Sequence, residues 1–580
     1  MHNIKKLTGW QLILVFMLLA IIFLTPQLLK QTMYINSWDV PFHLSRVYEI
    51  TKGFENGQWL PDVSAYTFGE NGYGVNFFYG YSFTYLVSLI YFLTHQAVTA
   101  VLVSYVILLT LAMSINYYAG SLFFKGVYAR LKSVVFSILY VLAPVTFGEI
   151  KVRGLPGELI GILLFPAVVA AFYSIMFTEN RKSWIFAGLV TAITVTNHVL
   201  STLLLIIILV VMFVIFLYQK QISRAKISQL IKAGILSLLL SAFYIVPLAQ
   251  HLLMDHVAGA NKIWGTVSIW DSVAASLNNQ ATLNWTVIPV GVFVFIMSIV
   301  VLLGLLYLKS FSNQMKRIGG WLGVSIVIIF YTPTDILMRT PLHVFQMMGR
   351  FYPIIMMLAV LFVVEGLVHF YEIGLLRFKT LNLVFGVGIL LALLSAWRMQ
   401  ATTYYTANND IANYQKNNRP FPKTVSNKNF VYQITHYYQL PLGSKDYLGK
   451  ERVRFVNGYQ FASWGDTKDA TQIYVNGKLS SLKLTHQGYT FNVENLPTSA
   501  AQVRLPMTNY EGWQATGSHG QNLPIETVKG KLAVTPQGSR TIKLKYHKTL
   551  YHRLAIWVSG LTLVGMLLGS LVVRIKNKRN

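Results

Sequence analysis

The chain has 580 residues, of which 54% are hydrophobic and 12% charged, and its formal net charge at pH 7 is +27. Soluble domains carry about 25% charged residues, so this composition excludes an ordinary soluble protein. The chain has no cysteine, which excludes disulfides and thiolate metal sites. Apolar runs long enough to cross about 30 Å of hydrocarbon recur over the first 400 residues. Another lies at 553–573.

These runs predict a polytopic α-helical membrane protein with about 11 to 13 transmembrane helices. The basic loops Lys220–Lys232 and Arg377–Lys379 are expected on the cytoplasmic side, as is the tail Arg574–Arg579. The regions then predicted outside are 31–80, 149–157, 251–285 and 333–349. Most acidic residues of the membrane domain fall in or beside these outer regions, so we expect the chemistry on that face. The short aromatic run 81–94 is predicted to be re-entrant or interfacial.

The composition divides the chain into three parts. Residues 1–400 are the predicted membrane domain, with a first outer loop at 31–80. Residues 401–549 are polar, with short alternating segments and turn signals such as Asn476-Gly477, which predict an extracytoplasmic β-sandwich-like domain. Residues 550–580 are the predicted last transmembrane helix and its basic cytoplasmic tail. The 401–549 part has 18 Lys and Arg against 8 Asp and Glu, which suits an anionic polymer or lipid headgroup but also an ordinary solvated surface.

The first outer loop contains a group of three ionisable residues. Asp39 lies where the chain leaves the first helix, and His43 and Arg46 follow at +4 and +7, on one face of a short helix. The aspartate is a candidate general base for an acceptor hydroxyl, or a cation ligand. The imidazole and the guanidinium are candidate phosphate ligands. The alternative is a helix N-cap acid followed by a surface helix.

Further candidate binding residues lie at three other membrane boundaries. The segment GEIKVRGLPGE contains ionisable residues that mark a substrate path or, alternatively, snorkel to the interface. His198 lies at the turn between two helices and is either a site residue or a structural hydrogen-bonding group. In HVFQMMGRFYP, Gln346 and Arg350 lie four residues apart and share one predicted helical face. Arg350 is a candidate phosphate ligand with Gln346 beside it, and the alternative is that the segment is an interfacial anchor. The candidates in these segments are Glu149, Lys151, Arg153, Glu158, His198, Gln346 and Arg350.

Several signatures of soluble enzymes are absent from the sequence. It has no GxxxxGK[ST] loop, no GxSxG elbow and no HExxH zinc motif. Nucleotide-driven transport by this chain alone is therefore not expected. The energy for a reaction has to come from an activated substrate or an ion gradient.

The first outer loop, NSWDVPFHLSRVYEITKGFENGQWLP followed by NGYGVNFFYGY, resembles bacterial membrane proteins called 6-pyruvoyl-tetrahydropterin synthase-related. RGLPGE and FQMMGRF look like two further motifs of that group, and LPMTNYEGWQA is similar to the outer domain of YfhO-like proteins. The group looks like part of the GT-C superfamily of multi-span glycosyltransferases. The resemblance implies nothing about pterin chemistry. It implies a GT-C-like fold and sugar transfer outside the bacterial cell membrane from a polyprenyl-phosphate donor.

By this resemblance Asp39 is the expected catalytic carboxylate. It stands as Asp-Val-Pro, without the paired acids of some relatives, so no metal is predicted, although a divalent cation stays possible. The expected reaction is an inverting hexosyl or pentosyl transfer to an envelope glycopolymer or glycolipid, with membrane lipid as a further partner and no nucleic acid. The alternatives are a transporter or flippase for lipid-linked sugars and a non-catalytic component of an envelope-assembly complex.

Overall fold

The computed structural model consists of a bundle of apolar helices, then a β-rich domain and a final apolar helix. It describes residues 8–34, 39–178, 183–255, 257–258, 265–280, 286–308, 311–333, 338–415, 424–437, 447–456, 459–462 and 471–579.

Helices account for most of the chain before residue 415. The α-helices of the described part are α1 (Gly9–Lys30), α2 (Val40–Glu55), α3 (Val75–Phe78), α4 (Ser82–Thr94), α5 (Ala97–Phe123), α6 (Ala129–Val141), α7 (Pro144–Gly148), α8 (Pro156–Phe177), α9 (Ser183–Val195), α10 (Val199–Tyr218), α11 (Arg224–Met254), α12 (Ile269–Leu277), α13 (Val292–Tyr307), α14 (Asn313–Tyr331), α15 (Tyr352–Glu372), α16 (Phe378–Gln415), α17 (Phe430–Tyr432) and α18 (Leu550–Arg579). Tighter or wider helical turns lie at Phe68–Glu70, Glu149–Arg153, Pro341–Phe345, Met348–Phe351, Gln433–Tyr437 and Lys450–Arg452.

Within the described ranges, nine helical segments are long and apolar enough to cross a membrane, judged by length and composition. Three shorter apolar helices, α4, α9 and α13, lie among them. The predicted class is therefore confirmed: the chain is a multi-pass helical membrane protein with a C-terminal β-rich domain and a last apolar helix. The run at 81–94 forms α4, whose 13 residues extend about 20 Å. That length is short for a span, and its re-entrant placement stays a prediction.

The polar segment after residue 400 begins differently from the prediction. Helix α16 continues beyond the apolar part, Phe378–Met399, and ends at Gln415. Neither glycine nor proline occurs between Gly388 and Pro420, so no residue breaks the helix where the composition changes. The change from apolar to polar residues at 401 therefore marks a change of environment, and the helix itself continues.

Most strands of the β-rich domain form two five-stranded antiparallel sheets. The strands of the described part are β1 (Thr32–Tyr34), β2 (Thr424–Ser426), β3 (Val453–Val456), β4 (Tyr459–Ala462), β5 (Ile473–Val475), β6 (Lys478–Ser480), β7 (Thr485–Gln487), β8 (Thr490–Val493), β9 (Val503–Arg504), β10 (Trp513–Thr516), β11 (Asn522–Leu523), β12 (Ile525–Val528), β13 (Lys531–Val534) and β14 (Ile542–Tyr546). One sheet has the order β11-β10-β14-β8-β7 and the other β12-β13-β9-β5-β6. Two smaller pairs are β1 with β2 and β3 with β4.

Turn residues and alternating side chains explain these strands. Asn476 and Gly477, both with positive φ, make the two-residue turn between β5 and β6, as their sequence predicts. Strand β14 alternates buried and exposed residues along its length, which is typical of a strand with one face on a core.

The core between the two sheets extends into the first loop of the membrane domain. Phe491 and Leu544 of one sheet and Leu532 of the other belong to one buried apolar cluster. The same cluster contains Phe77 and Phe78 of α3, which lies in the first outer loop, 31–80. The β-rich domain is thus packed on that loop through shared apolar burial, which is worth about 1.5–3 kcal/mol for each large side chain.

Candidate functional site

Four chain segments that are far apart in sequence meet beside the loop that supports the β-rich domain. They are the start of α2, the turn Glu149–Arg153 with the start of α8, the turn before α10, and the turn Met348–Phe351. The backbone N–H of Asp39 donates to the carbonyl of Arg153 (3.0 Å), and Arg350 reaches Glu158 on α8. The cluster contains residues from all the candidate segments.

Glycines allow these segments to approach closely. Gly154 has φ +63°, and a Cβ atom there would lie 2.2 Å from Cγ2 and 2.8 Å from the backbone N of Val40. A Cβ atom at Gly157 would lie 2.5 Å from the carbonyl oxygen of Asn197, and one at Gly80 would lie 2.4 Å from it. Real Cβ atoms do not approach backbone this closely, so glycine is required at these contacts. The RGLPGE motif therefore has a packing reason for its two glycines.

Two carboxylates and two guanidiniums alternate across the cluster. Nη1 of Arg153 is 3.3 Å from Oε1 of Glu149, and its Nη2 is 4.0 Å from Oε2 of Glu158. Oε1 of Glu158 is in turn 3.4 Å from Nε of Arg350. Glu158 thus links two arginines contributed by different segments.

These four side chains are buried, which argues against the snorkelling interpretation of the GEIKVRGLPGE segment. The exposed fractions are 1% for Glu149, 4% for Arg153, 4% for Glu158 and 14% for Arg350. A snorkelling group would keep its charged end in water, so the snorkelling interpretation does not apply to them. Taking charges out of water costs several kcal/mol for each ion unless partners compensate. Yet Oε2 of Glu149 and Oε2 of Glu158 are buried with no hydrogen-bond partner within the described part.

Asp39 lies at the edge of this cluster, at the N-cap position of α2 with Pro41 following. Its side chain is partly exposed and makes no capping hydrogen bond. Tyr79 lies beside it: burial, followed by the charges of Asp39 and Glu158, raises the pKa of the Tyr79 hydroxyl. Asp39 is therefore a carboxylate held by its backbone next to buried charges and reachable from solvent.

The helical face predicted for His43 and Arg46 exists, but the two side chains have different surroundings. Nη2 of Arg46 donates to the carbonyls of Tyr79 and Gly80, both at 3.1 Å, and to Oδ1 of Asn76 at 3.2 Å. The guanidinium also lies over the Tyr79 ring at 5.4 Å. Burial lowers the pKa of Arg46 to about 10. Arg46 thus fastens α2 to the loop after α3, and Nη2, with these three acceptors, is not directed at a ligand.

His198 is the N-cap residue of α10. Its Nδ1 accepts a hydrogen bond from the backbone N–H of Ser201 (3.2 Å) and lies 2.8 Å from the Ser201 hydroxyl. Burial lowers its pKa to about 4, with Glu158 opposing that shift and Arg350 adding to it. His198 therefore acts as a structural hydrogen-bonding group, one of the two roles considered from the sequence. It also lies close enough to Glu158 and Arg350 for their charges to affect its pKa.

The prediction that Gln346 and Arg350 share a face of one continuous helix is wrong. Two short turns, Pro341–Phe345 and Met348–Phe351, flank Gln346, which has φ +63°. The two side chains nevertheless interact, because Nη1 of Arg350 donates to Oε1 of Gln346 (3.0 Å) and to the carbonyl of Phe345 (3.1 Å). Gln346 therefore helps to fix Arg350 in the direction of Glu158.

Lys151 points away from the cluster, since its Nζ donates to the carbonyl of Met399 on α16 (3.2 Å).

Tyr79 and Asn76 are cluster neighbours that were not among the predicted site residues. Their only sequence signal is the Gly-and-aromatic stretch NGYGVNFFYGY. Among the described residues, no group of three or more His, Asp or Glu side chains is arranged to hold a metal ion.

No family model and no curated protein matches this chain. Among solved structures, the chain resembles the arabinofuranosyltransferase AftD from Mycobacteria, with 13% sequence identity and a TM-score of 0.41. The likeness covers 68% of this chain but only 27% of that chain. So distant a likeness does not transfer that protein's activity to this chain. The resemblance to YfhO-like and pterin synthase-related proteins stays a prediction.

Proposed function

We propose that the chain is an integral-membrane glycosyltransferase. It moves a sugar from a polyprenyl-phosphate donor to a glycopolymer or glycolipid of the cell envelope. One observation carries the proposal: three of the four motifs on which the sequence resemblance rests meet in one largely buried cluster, through Asp39, Arg153, Glu158 and Arg350. Segments that only connect membrane helices have no reason to bring so many charges together away from water.

In the proposed reaction, Arg350 and Arg153 bind the phosphate of the donor. Arg350 is the more exposed of the two, and guanidinium groups match phosphate oxygens in geometry and charge. Glu158 lies between the two arginines and pairs with both of them. As the donor's glycosidic bond breaks, negative charge develops on the phosphate, and two fixed cations in a water-poor site stabilise it.

Asp39 acts as the general base. Its carboxylate takes the proton of the acceptor hydroxyl while the acceptor oxygen attacks the anomeric carbon. The bond from that carbon to the phosphate oxygen breaks, and its electron pair leaves with the lipid phosphate. A single displacement of this kind inverts the anomeric configuration. The partial exposure of Asp39 suits this role, since the acceptor has to arrive from the aqueous side.

We place this site on the extracytoplasmic face of a bacterial cell membrane. The basic loops at the other ends of the helices support this orientation. In this proposal the β-rich domain, which is packed on the loop next to the site, holds an anionic acceptor beside Asp39.

The test is sugar transfer by purified protein in nanodiscs. The substrates are undecaprenyl phosphate carrying glucose, mannose or arabinofuranose, with an envelope glycopolymer preparation as acceptor. We expect the Asp39→Asn variant to lose about 10²–10⁴-fold in rate while keeping its thermal unfolding midpoint. The matched control is Asp271→Asn, an exposed carboxylate on α12, which should transfer at the wild-type rate. Equal rates for Asp39→Asn and the wild type contradict the role of Asp39. The absence of transfer from every donor favours the transporter or assembly-component alternatives.

A further inference from the structure

The cluster contains two histidines whose ring protons can be placed by their neighbours. Nδ1 of His43 lies 3.5 Å from Nη1 of Arg46. A guanidinium can only donate, so Nδ1 accepts and the ring proton lies on Nε2. In His198, the backbone N–H of Ser201 donates to Nδ1, so here too Nε2 carries the proton. Both imidazoles therefore present an Nε2–H group on the side away from their fixed partner.

The chemistry around these donors points to the kind of ligand that they meet. Nε2 of His43 is buried and has no hydrogen-bond partner in the described part of the chain. Oε2 of Glu149 is a buried oxygen of the same cluster that also has no hydrogen-bond partner among the described residues, whereas Oε2 of Glu158 lies 4.0 Å from Nη2 of Arg153. A phosphate supplies only acceptors and would leave Oε2 of Glu149 without a donor. A hydroxyl group both donates and accepts, so a ligand with several hydroxyls satisfies both kinds of buried group.

We propose that His43 and His198 are neutral Nε2–H donors that bind the hydroxyl or ring oxygens of the transferred sugar, whereas Arg350 and Arg153 bind the phosphate. This inference rests on the proposed function and divides the site into two parts. The sugar part contains the imidazoles and Oε2 of Glu149. The phosphate part contains the guanidiniums.

Burial, together with nearby cations, favours the neutral form of both rings. Burial lowers the pKa of His43 well below its usual range, and Arg46 and His198 lower it further. The pKa of His198 is about 4, because burial and the cations Arg350 and Arg153 outweigh the attraction of Glu158. Both shifts favour the neutral ring over the charged one, so each imidazole keeps a single ring proton and one lone pair near neutral pH.

A pair of substitutions separates the proposed role of His198 from its structural role. In His198→Asn, the amide oxygen replaces Nδ1 and keeps the cap on α10, since Asn is a preferred N-cap residue, but the Nε2–H donor is lost. In His198→Gln, the longer side chain returns an N–H donor near the position of Nε2. A purely capping role predicts that Asn is the better replacement. The proposed donor role predicts that Gln is the better replacement.

The same two substitutions at His43 test the second imidazole. The control is His95→Asn, since His95 is an exposed histidine with positive φ, a conformation that Asn tolerates.

The measurement is binding to full-length protein in nanodiscs. The dissociation constant of bare undecaprenyl phosphate is compared with those of its glucosyl, mannosyl and arabinofuranosyl forms. The sugar contribution is the ratio of the bare constant to the constant of the tightest sugar form. We expect His198→Asn to lower this ratio about 10-fold, the usual effect of one lost hydrogen bond of about 1.4 kcal/mol, at unchanged affinity for bare lipid. His198→Gln should retain most of the ratio.

Two results overturn the inference: a wild-type ratio of one for every sugar tested, or an unchanged ratio in both Asn variants. Sugar transfer is measured in parallel. Preferential sugar binding without transfer leaves the inference standing and contradicts the proposed enzyme function, so the two claims fail separately.

Discussion

Replacing Gly154 by Ala tests whether close packing between α2 and the Glu149–Arg153 turn builds the site. The new Cβ atom would lie 2.2 Å from Cγ2 and 2.8 Å from the backbone N of Val40. The second contact is with backbone, which cannot move aside as a side chain can. Val40 follows Asp39 directly, so we expect α2 to shift and the hydrogen bond from Asp39 to the Arg153 carbonyl to lengthen or break.

The magnitude follows from two separate costs. An alanine at φ +63° costs about 1–2 kcal/mol relative to the right-handed region, and overpacking in a filled interior costs about 1–3 kcal/mol more. The expected loss of stability is therefore about 2–5 kcal/mol. A displacement of the Asp39 carboxylate by about 1 Å would lower the rate of sugar transfer by about 10²-fold.

Gly57→Ala is the matched control. Gly57 lies just after α2 at φ +70°, and a Cβ atom there meets nothing within 4 Å. It therefore has the conformational cost of about 1–2 kcal/mol without the clash. Thermal unfolding in nanodiscs and the transfer rate are measured for both variants. If Gly154→Ala loses no more stability and no more activity than Gly57→Ala, the contact between the turn and α2 does not position Asp39.

Three further predictions concern charged groups at different depths of the protein. Arg350→Lys loses the planar hydrogen-bond geometry to Gln346 and Glu158, so we expect it to bind bare undecaprenyl phosphate about 10-fold more weakly. Arg339→Lys, at an exposed position, should bind as the wild type does. Equal affinity of both variants contradicts a phosphate role for Arg350. Burial raises the pKa of Glu49 from 4.5 to about 7, so the folded state binds the proton more tightly and stability falls as pH rises from about 4.5 to 7, by about 3 kcal/mol. The thermal midpoint should therefore be higher at pH 5 than at pH 8, and Glu49→Gln should reduce that difference; an unchanged difference shows that other groups cause it. Lys132 and Glu365 form an ion pair between α6 and α15 (2.8 Å), so Glu365→Ala should destabilise the bundle by about 3–5 kcal/mol. The double variant that exchanges the two charges, Lys132→Glu with Glu365→Lys, should recover part of the lost thermal midpoint. No recovery indicates that the surroundings of the pair, and not the pair itself, cause the loss.

Much of the fold could be predicted because the membrane imposes a strong pattern on the sequence. Apolar runs of about 20 residues reveal helices by length alone, and Asn476-Gly477 reveals a hairpin by turn chemistry. The end of α16 was not visible in this way. A polar composition after residue 400 is compatible with a helix outside the bilayer as well as with a sheet, and only the missing helix breakers before Pro420 indicated the former.

The candidate site was predictable as a set of segments but not as a geometry. Charged residues at membrane boundaries could be identified individually, and their sequence positions do not reveal that Glu158 lies between Arg153 and Arg350. The role of Arg46 also depends on tertiary contacts, since the Tyr79 and Gly80 carbonyls that it binds are more than 30 residues away. The glycines of RGLPGE are a signal that sequence reasoning could have used, as positions where backbone segments approach closely.

The fate of the donor's glycosidic bond tests the central claim most directly. Undecaprenyl phosphate carrying a labelled sugar is placed in proteoliposomes with purified protein and an envelope glycopolymer acceptor. The account predicts that label appears on the acceptor, that an equal amount of sugar-free undecaprenyl phosphate is released, and that the anomeric configuration inverts. If each member of the donor panel moves across the bilayer or stays in place with its sugar still attached, the chain is not a glycosyltransferase for these donors and the account is contradicted.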